Sequence, residues 1–341
     1  MEEKENKSTS RRTFIKTMVS AGALLSIGSS SLFSKTMSPM TGSESGSFDF
    51  KYRTMSVSHL PQLKEWIDTL EKEGKISNNP IYLKYINAFE YQPPKKFPNA
   101  QSVIILSIPL KIAVLTVNLK GKKQDILIPT GYVTPEFNLK EIRNYFLNRV
   151  MKEKGKRIEV ANLPLKSLAV RTGLAEYGRN NITFVDGYGS YHMLAALYTD
   201  YVFPEDHWGN LKMMRYCRGC HICMNQCPMQ CIRRDNFAID AGKCISLYNE
   251  LPDPIPSWID PNVHNALVGC LKCQIGCPAN EEVKNNIEKL AELTEPETRL
   301  LLEGTPDPKR RQSILGKLKR LSGSDNLAYI ARNLKLALHI Q

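Results

Sequence analysis

Apolar residues recur at helical or strand spacing through the first two thirds of the chain. Two stretches, 58–74 and 139–155, place them three and four positions apart, which predicts two amphipathic helices. Two others, 102–110 and 191–201, are nearly continuous apolar runs and predict buried strands. Strands and helices therefore alternate up to about residue 205, so we expect an α/β (α+β) domain over residues 48–205.

The first 40 residues have the composition of a targeting segment. Two adjacent arginines, Arg11 and Arg12, precede an uncharged stretch rich in Ser, Gly and Ala. This order is typical of a signal peptide, and the arginine pair resembles the twin-arginine signal, which exports folded proteins. We therefore expect residues 1–40 to direct export to the periplasm or to the outer face of the cytoplasmic membrane. There are two alternatives: an uncleaved segment that holds the chain at the membrane, and a plain N-terminal tail.

All nine cysteines fall within residues 217–277. The first run, residues 217–228, has the spacing C-x2-C-x2-C-x3-C-P, and the second, residues 270–278, has C-x2-C-x3-C-P. In bacterial ferredoxins three thiolates of such a run surround one 4Fe–4S cluster, while the cysteine before proline binds the other cluster. Zinc sites use paired C-x2-C motifs without Cys-Pro ends, and disulfides do not require this spacing. We therefore predict two 4Fe–4S clusters in a ferredoxin-like domain over residues 206–282.

Two such clusters need eight thiolates, and the two runs supply seven. The eighth comes from Cys231 or Cys244. Cys231 lies only four residues beyond Cys227, where we expect the chain to continue as a helix. Its thiol should then turn away from the cluster as a small buried side chain, which leaves Cys244. The predicted ligands of the first cluster are Cys217, Cys220, Cys223 and Cys277. The predicted ligands of the second cluster are Cys227, Cys244, Cys270 and Cys273.

The single cysteine between the two runs carries a family resemblance. Its segment, Lys243-Cys244-Ile245-Ser246, resembles the insert of epoxyqueuosine reductases and of corrinoid-dependent reductive dehalogenases. Further similarity to these families lies at residues 97–104, 168–181 and 293–306, and the resemblance extends over about residues 50–320. The resemblance implies a reductase whose α/β domain binds a corrinoid (cobalamin) and whose ferredoxin-like double 4Fe–4S domain supplies the electrons.

The resemblance also implies an acid that protonates the reduced product. Epoxyqueuosine reductases carry an aspartate about fourteen residues before a Gly-Leu pair. Counting back from Gly173 reaches Glu159, which is therefore our candidate catalytic acid. The dehalogenases use a tyrosine as proton donor. Tyr177 is our candidate for that role, and Tyr188 and Tyr191 are the alternatives.

Small residues near Gly-rich turns are the candidates for holding a flat cofactor. The residues expected to bind it are Gly173, Leu174, Gly178, Gly187 and Gly189. Two cations, Lys166 and Arg171, are candidates for neutralising an anionic intermediate, although either could simply face water.

The chain is basic, with 46 Lys and Arg against 34 Asp and Glu and a net charge of +12. Its last segment, 283–341, is predicted to be a charged helical tail without the aromatic interleaving of RNA-binding segments. An exported chain is also separated from cytoplasmic tRNA, so we expect no nucleic-acid partner. The expected partners are an electron donor linked to ferredoxin, flavodoxin or quinol, and a small organic substrate. The alternative function is that of an electron-transfer protein without a corrinoid or catalytic activity of its own.

Overall fold

The computed structural model describes residues 40–44, 48–134, 139–235, 238–304 and 308–340. The predicted signal segment, with its arginine pair, lies outside these ranges apart from Met40, the first residue of the first strand. Among the residues that the structure describes, no helix is both long and apolar enough to cross a membrane.

The chain alternates short helices with strands. The strands are β1 (Met40–Glu44), β2 (Phe48–Ser56), β3 (Ser102–Pro109), β4 (Ile112–Leu119), β5 (Lys122–Ile128), β6 (Ile158–Val160), β7 (Glu176–Tyr177), β8 (Thr183–Phe184), β9 (His192–Thr199) and β10 (Ile287–Leu293). The helices are α1 (Leu60–Lys72), α2 (Pro80–Ile86), α3 (Leu139–Tyr145), α4 (Leu165–Arg171), α5 (Ile222–Gln226), α6 (Ile245–Asn249), α7 (Lys272–Ile275), α8 (Glu295–Glu303), α9 (Pro308–Lys317) and α10 (Leu327–Ala337). A π-helical segment, Phe146–Met151, continues α3, and 3-10 turns cover Val57–His59, Arg215–Cys217, Pro261–Val263 and Pro278–Asn280.

The main sheet has five strands in the order β1-β2-β3-β9-β6, and every neighbouring pair is antiparallel. The two predicted strands, β3 and β9, form its centre, where Ser102 pairs with Thr199. Both are buried on their two faces, as their nearly continuous apolar sequences predicted. Because antiparallel pairing runs through the whole sheet, the domain is α+β and not a parallel α/β fold.

Alternate residues of β3 belong to two separate cores, one on each side of the sheet. Val103 and Ile105 pack with Leu63 of α1 and with residues of α4, so the first predicted helix covers this face. Ile104 and Leu106 pack on the other face with side chains of the segment that contains α3. The second predicted helix is therefore present, although its last turns are π-helical.

A smaller sheet in the order β10-β4-β5 joins the last part of the chain to the first domain. Its β10 strand lies parallel to β4, and helices α8, α9 and α10 pack on its apolar face. The predicted separate helical tail over residues 283–341 is therefore wrong in part. The tail supplies a strand and three helices because the apolar side of the β4–β5 hairpin needs a cover. The cysteine region contacts both sheets, with Leu271 packed against Ile112 and Tyr191.

Candidate iron–sulfur site and adjoining cleft

The two cysteine runs form a pair of matching short helices. Cys223 lies in α5 and Cys273 lies in α7, and these helices pack against each other. Each run ends at a cysteine followed by proline, Cys227 in the first and Cys277 in the second. Proline cannot continue the helical hydrogen bonding, so the chain turns at the point where a thiol must be presented.

The first thiol set comprises the four predicted ligands of the first cluster: Cys217, Cys220, Cys223 and Cys277. Burial raises the pKa of Cys277 to about 12. The charges of the other three thiols add to that rise, because all four thiols lie close together. The backbone N–H of Arg179 donates a hydrogen bond to Cys217 Sγ over 3.3 Å. Such N–H···S bonds are among the factors that set the potential of an iron–sulfur cluster.

The second thiol set comprises the predicted ligands of the second cluster, which line a single small cavity: Cys227, Cys244, Cys270 and Cys273. Asn265 Nδ2 donates a hydrogen bond to Cys270 Sγ over 3.2 Å. Burial raises the pKa of Cys270 to about 11, and the thiol of Cys244 adds to that rise. The structure therefore gathers the eight predicted ligands into the two predicted groups of four.

These groups fit two cubane clusters. A 4Fe–4S cubane binds each thiolate at a different iron, so its four sulfurs stand further apart than the ligands of one ion. In the described ranges, no three His, Cys, Asp or Glu side chains are arranged to hold a single metal ion. When bound, a cluster at each set would supply one-electron transfer.

Cys231 departs from its predicted position. Its thiol does not turn away from the second thiol set: Cys231 Sγ lies 3.5 Å from Cys227 Sγ and lines the same cavity. The expectation failed because it assumed that the helix continues past Cys227. Instead the backbone turns at Gln230, which has a φ of +49°.

A cleft of about 160 Å³ adjoins the second thiol set. Cys244 lines both the cleft and the cavity of that set, so it stands between the two spaces. The walls are mostly aliphatic and aromatic and come from α1, α2, the start of α4 and the segment before α6; among them are Leu70, Tyr82, Tyr85, Phe89, Leu165 and Leu247. The cleft is therefore an apolar space that ends at an expected cluster ligand.

One lysine and one carboxylic acid lie in this mostly apolar cleft, Lys166 and Glu250. Lys166 Nζ donates a hydrogen bond to the carbonyl oxygen of Asn181 over 2.9 Å, and burial lowers the pKa of Lys166 to about 8. Glu250 accepts a hydrogen bond from the Tyr132 hydroxyl, and burial raises the pKa of Glu250 to about 8. At neutral pH both groups therefore hold a proton. Glu250 was missed in the sequence because its burial depends on Tyr132, 118 residues upstream.

Glu159, the predicted acid, does not line the cleft. Its carboxylate lies 2.9 Å from Lys96 Nζ, 3.6 Å from a guanidinium nitrogen of Arg157 and 4.0 Å from one of Arg143. The hydrogen bond from Lys96 is the main factor that lowers the pKa of Glu159. A carboxylate held ionised by three cations is a poor proton donor, so the structure does not support this assignment.

Tyr177, the predicted tyrosine donor, does line the cleft. Its hydroxyl lies 3.0 Å from Ser167 Oγ, and burial raises its pKa. The alternative tyrosines lie elsewhere. The ring of Tyr188 packs beneath Lys51 Nζ, and Tyr191 is buried against Ile112 of β4 and Leu271. Whether Tyr177 donates a proton stays a prediction.

Arg171, the second predicted cation, also lies outside the cleft. Its guanidinium stacks near the rings of Trp66 and Trp208 and donates to the carbonyl oxygen of Gly209. Of the two predicted cations, only Lys166 lines the cleft.

None of the predicted cofactor-binding residues lines the cleft: Gly173, Leu174, Gly178, Gly187 and Gly189. Gly173 follows the end of α4 with a φ of +72°, a conformation that favours glycine, and Leu174 is buried in the core. A Cβ at Gly178 would stand 2.2 Å from the ring of Phe184, so this glycine permits close packing within the protein. Gly187 and Gly189 lie in the turn that leads to β9. These glycines shape the chain and do not approach a ligand in this cleft.

Comparison with known proteins agrees with the geometry of the cysteines. Residues 216–280 match the family described as a 4Fe-4S double cluster binding domain. The epoxyqueuosine reductase of Cyclobacterium marinum is 33% identical over 159 residues, which cover 45% of this chain and 50% of the relative. Over this part of its length, the chain is similar to the epoxyqueuosine reductases. The predicted resemblance to these iron–sulfur oxidoreductases is thereby confirmed, while the resemblance to reductive dehalogenases stays a prediction.

The similarity extends to solved structures. The epoxyqueuosine reductase of Streptococcus thermophilus superposes with a TM-score of 0.59 at 19% identity, over 84% of this chain and 76% of that protein. At this identity the likeness establishes the fold. The chain spans about half the length of the curated relatives it matches most strongly, such as those of C. marinum and Bacillus cereus.

One comparison corrects the expectation that the chain has no nucleic-acid partner. An epoxyqueuosine reductase structure with a TM-score of 0.58 and 19% identity holds an epoxyqueuosine-modified stem loop of tRNA-Tyr. A structural neighbour of this chain therefore binds a nucleic acid, and the expectation was wrong. It rested on the predicted export and on the lack of aromatic residues in the tail, whereas the bound RNA in that protein is a folded stem loop.

Proposed function

We propose that this chain is an iron–sulfur reductase that passes electrons from its two clusters to a substrate bound in the cleft. The observation that carries the proposal is the position of Cys244, which lines both the cavity of the second thiol set and the cleft. A substrate in the cleft would lie directly beside a cluster ligand, so the last electron transfer would be short. The names of the relatives support a reductase activity of this kind.

The proposed reaction is the reduction of an epoxide to an alkene. Two electrons and two protons enter, both carbon–oxygen bonds of the epoxide break, a carbon–carbon double bond forms, and the oxygen leaves as water. The electrons arrive singly through the clusters from a reduced protein donor. Lys166, Glu250 and the Tyr177 hydroxyl all hold a proton in the cleft at neutral pH, so the side chains present can supply the two protons required.

We further propose that the substrate carries an epoxide-modified nucleoside. The relatives are named for epoxyqueuosine, and one is seen with a modified tRNA stem loop. The cleft has room for one small ring system and an opening through which the rest of a substrate could extend. The basic balance of the chain, with a net charge of +12, also favours an anionic substrate.

The predicted corrinoid does not fit this cleft. Its volume of about 160 Å³ is below the roughly 300–1,000 Å³ of pockets that hold drug-sized ligands, and a corrinoid is larger than those. Part of the cleft wall is formed by the rings of Tyr82, Tyr85 and Phe89. We therefore propose that electrons pass from the second cluster to the substrate. Equilibrium dialysis with hydroxocobalamin under reducing conditions should show no stoichiometric binding.

The electron donor is proposed to dock at the first thiol set. Two exposed apolar side chains, Ile222 and Ile275, lie on the paired helices α5 and α7, and the exposed cations Arg215 and Arg218 are next to Cys217 in sequence. An apolar patch with basic neighbours suits an acidic ferredoxin or flavodoxin.

A turnover assay tests the proposed function. Anaerobically reconstituted protein, reduced by ferredoxin or dithionite, should remove one oxygen from an epoxyqueuosine-modified tRNA stem loop or from the free nucleoside, as measured by mass spectrometry. Activity on the nucleoside alone would define a small-molecule reductase. Failure with both substrates, in protein that holds its full iron complement, would favour the electron-transfer protein without catalytic activity.

Export by the twin-arginine route remains a separate proposal, supported by the sequence of the first 40 residues. Replacing both Arg11 and Arg12 by Lys should leave cluster-loaded protein in the cytoplasm. Cell fractionation measures this, and an unchanged location of the variant would contradict the proposal.

A further inference from the structure

The ninth cysteine has no assigned role, yet it belongs to the wall of the second cluster's cavity. Cys231 is 2% exposed, and its thiol lies 3.5 Å from Cys227 Sγ. The thiol-bearing residue Cys244 lines the same cavity. Five thiols therefore surround a space whose cubane cluster needs four.

The backbone places this fifth thiol through a specific turn. After Cys227 the chain runs through Pro228, and the N–H of Gln230 donates to the carbonyl oxygen of Cys227 over 3.1 Å. Gln230 has a φ of +49°, a strained conformation for a residue that is not glycine. On the far side, the N–H of Asp240 donates to the carbonyl oxygen of Cys231 over 2.8 Å. The turn returns the chain toward Cys227, and the second bond holds Cys231 in place.

The second run offers an internal contrast. Cys277 is the counterpart of Cys227, since each ends its run and precedes a proline. Four residues beyond Cys277 stands Glu281, an exposed carboxylate that pairs with Lys284 over 2.6 Å. The first thiol set therefore has no fifth thiol at the matching position.

We propose that Cys231 is a reserve ligand of the second cluster, able to take over the iron that Cys227 holds. In the exchange a bond forms between Cys231 Sγ and the iron, the bond from Cys227 Sγ breaks, and the proton of the Cys231 thiol passes to the Cys227 thiolate. No electron is gained or lost. The short separation of the two sulfurs lets the exchange proceed by side-chain rotation within the existing cavity. This inference does not depend on the substrate or on turnover.

Iron and acid-labile sulfide content, with EPR of the reduced protein, test the proposal. Cys227→Ala should keep the full iron complement of two 4Fe–4S clusters, with altered EPR features for the second cluster only. Cys227→Ala combined with Cys231→Ala should lose iron from the second cluster. The matched variant Cys277→Ala, which has no reserve thiol, should lose iron from the first cluster. Cys231→Ala alone should keep both clusters.

Equal iron loss in Cys227→Ala and in the double variant would overturn the proposal. If Cys227→Ala does not give soluble protein, Cys227→Ser provides the second comparison, because serine keeps the size of the side chain. Mössbauer spectra should then show an all-sulfur second cluster in Cys227→Ser. An oxygen-bound iron site there would mean that serine, and not Cys231, holds the iron, which would contradict the reserve role.

Discussion

The first and second thiol sets have similar sequences but different surroundings. Next to the first set the surface carries exposed apolar side chains, such as Ile222, and exposed arginines. Beside the second set lies an apolar cleft that contains two groups able to hold protons, the half-buried Lys166 and the buried Glu250. Under the proposed function, the first set receives electrons from outside and the second delivers them where protons are available. The proposed direction of electron flow is therefore from the first cluster to the second and then to the cleft.

Removing the second cluster should have the largest effect. Cys270→Ala deletes a buried ligand of the second thiol set. We expect about half of the iron to be lost and turnover to fall to background, because the path to the cleft is broken while the first cluster remains. Iron analysis, EPR and the epoxide assay measure these effects. Turnover that persists without the second cluster would show that electrons reach the substrate by another route.

Removing the buried acid should have the next largest effect. Glu250→Gln keeps the hydrogen bond to Tyr132 and removes the titratable proton. We expect kcat to fall by about 10²-fold or more, the usual contribution of a positioned proton donor, with iron content unchanged. Glu159→Gln is the matched control and should leave kcat unaffected, because Glu159 lies outside the cleft among three cations. A fall in kcat for Glu159→Gln, with kcat of Glu250→Gln unchanged, would support Glu159, the acid predicted from the sequence.

The two proton-holding groups of the cleft, Lys166 and Glu250, predict how turnover depends on pH. Lys166 and Glu250 each have a pKa of about 8, so both carry a proton below that pH and lose it above. The rate should therefore be flat at lower pH and fall as the pH rises through about 8. In Lys166→Met the fall should become shallower, since one of the two groups no longer titrates. A rate that increases through this range would mean that the deprotonated form of one group is required.

The smallest effect concerns the potential of one cluster. Asn265 donates to Cys270 Sγ, and its side-chain oxygen accepts from the N–H of Leu271 over 3.0 Å. Asn265→Asp keeps the acceptor and removes the donor, so the reduction potential of the second cluster should become more negative. A redox titration followed by EPR should show no shift in the first cluster. A shift of both clusters together would indicate a general change of structure.

The two regions also differ in how far the sequence predicts them. The eight ligands of the two thiol sets follow from short-range spacing, because a cubane requires thiolates at positions that a few adjacent turns can supply. Cys231 was the exception, since a left-handed Gln230 reversed a chain that was expected to remain helical. Strands β3 and β9 were likewise predicted, because a buried strand is marked by its own apolar run.

The cleft depends on contacts between residues that are distant in sequence. Glu250 meets Tyr132 across 118 positions, and Glu159 meets Lys96 across 63. A count along one segment placed the acid at Glu159, but tertiary contacts decide which carboxyl is buried and which is ion-paired. The parallel pairing of β10 with β4 depends on the same kind of distant contact, so the predicted helical tail missed that strand.

The most direct test of the account is a single turnover observed at the clusters. Fully reduced protein is mixed anaerobically with epoxyqueuosine-modified stem loop, or with the free nucleoside, and frozen at intervals for EPR and product analysis. The account predicts that the second cluster is oxidised first, that the first cluster then reoxidises by supplying it, and that deoxygenated product forms in step with both. Clusters that stay reduced while substrate is bound, or a first cluster that oxidises before the second, would contradict it.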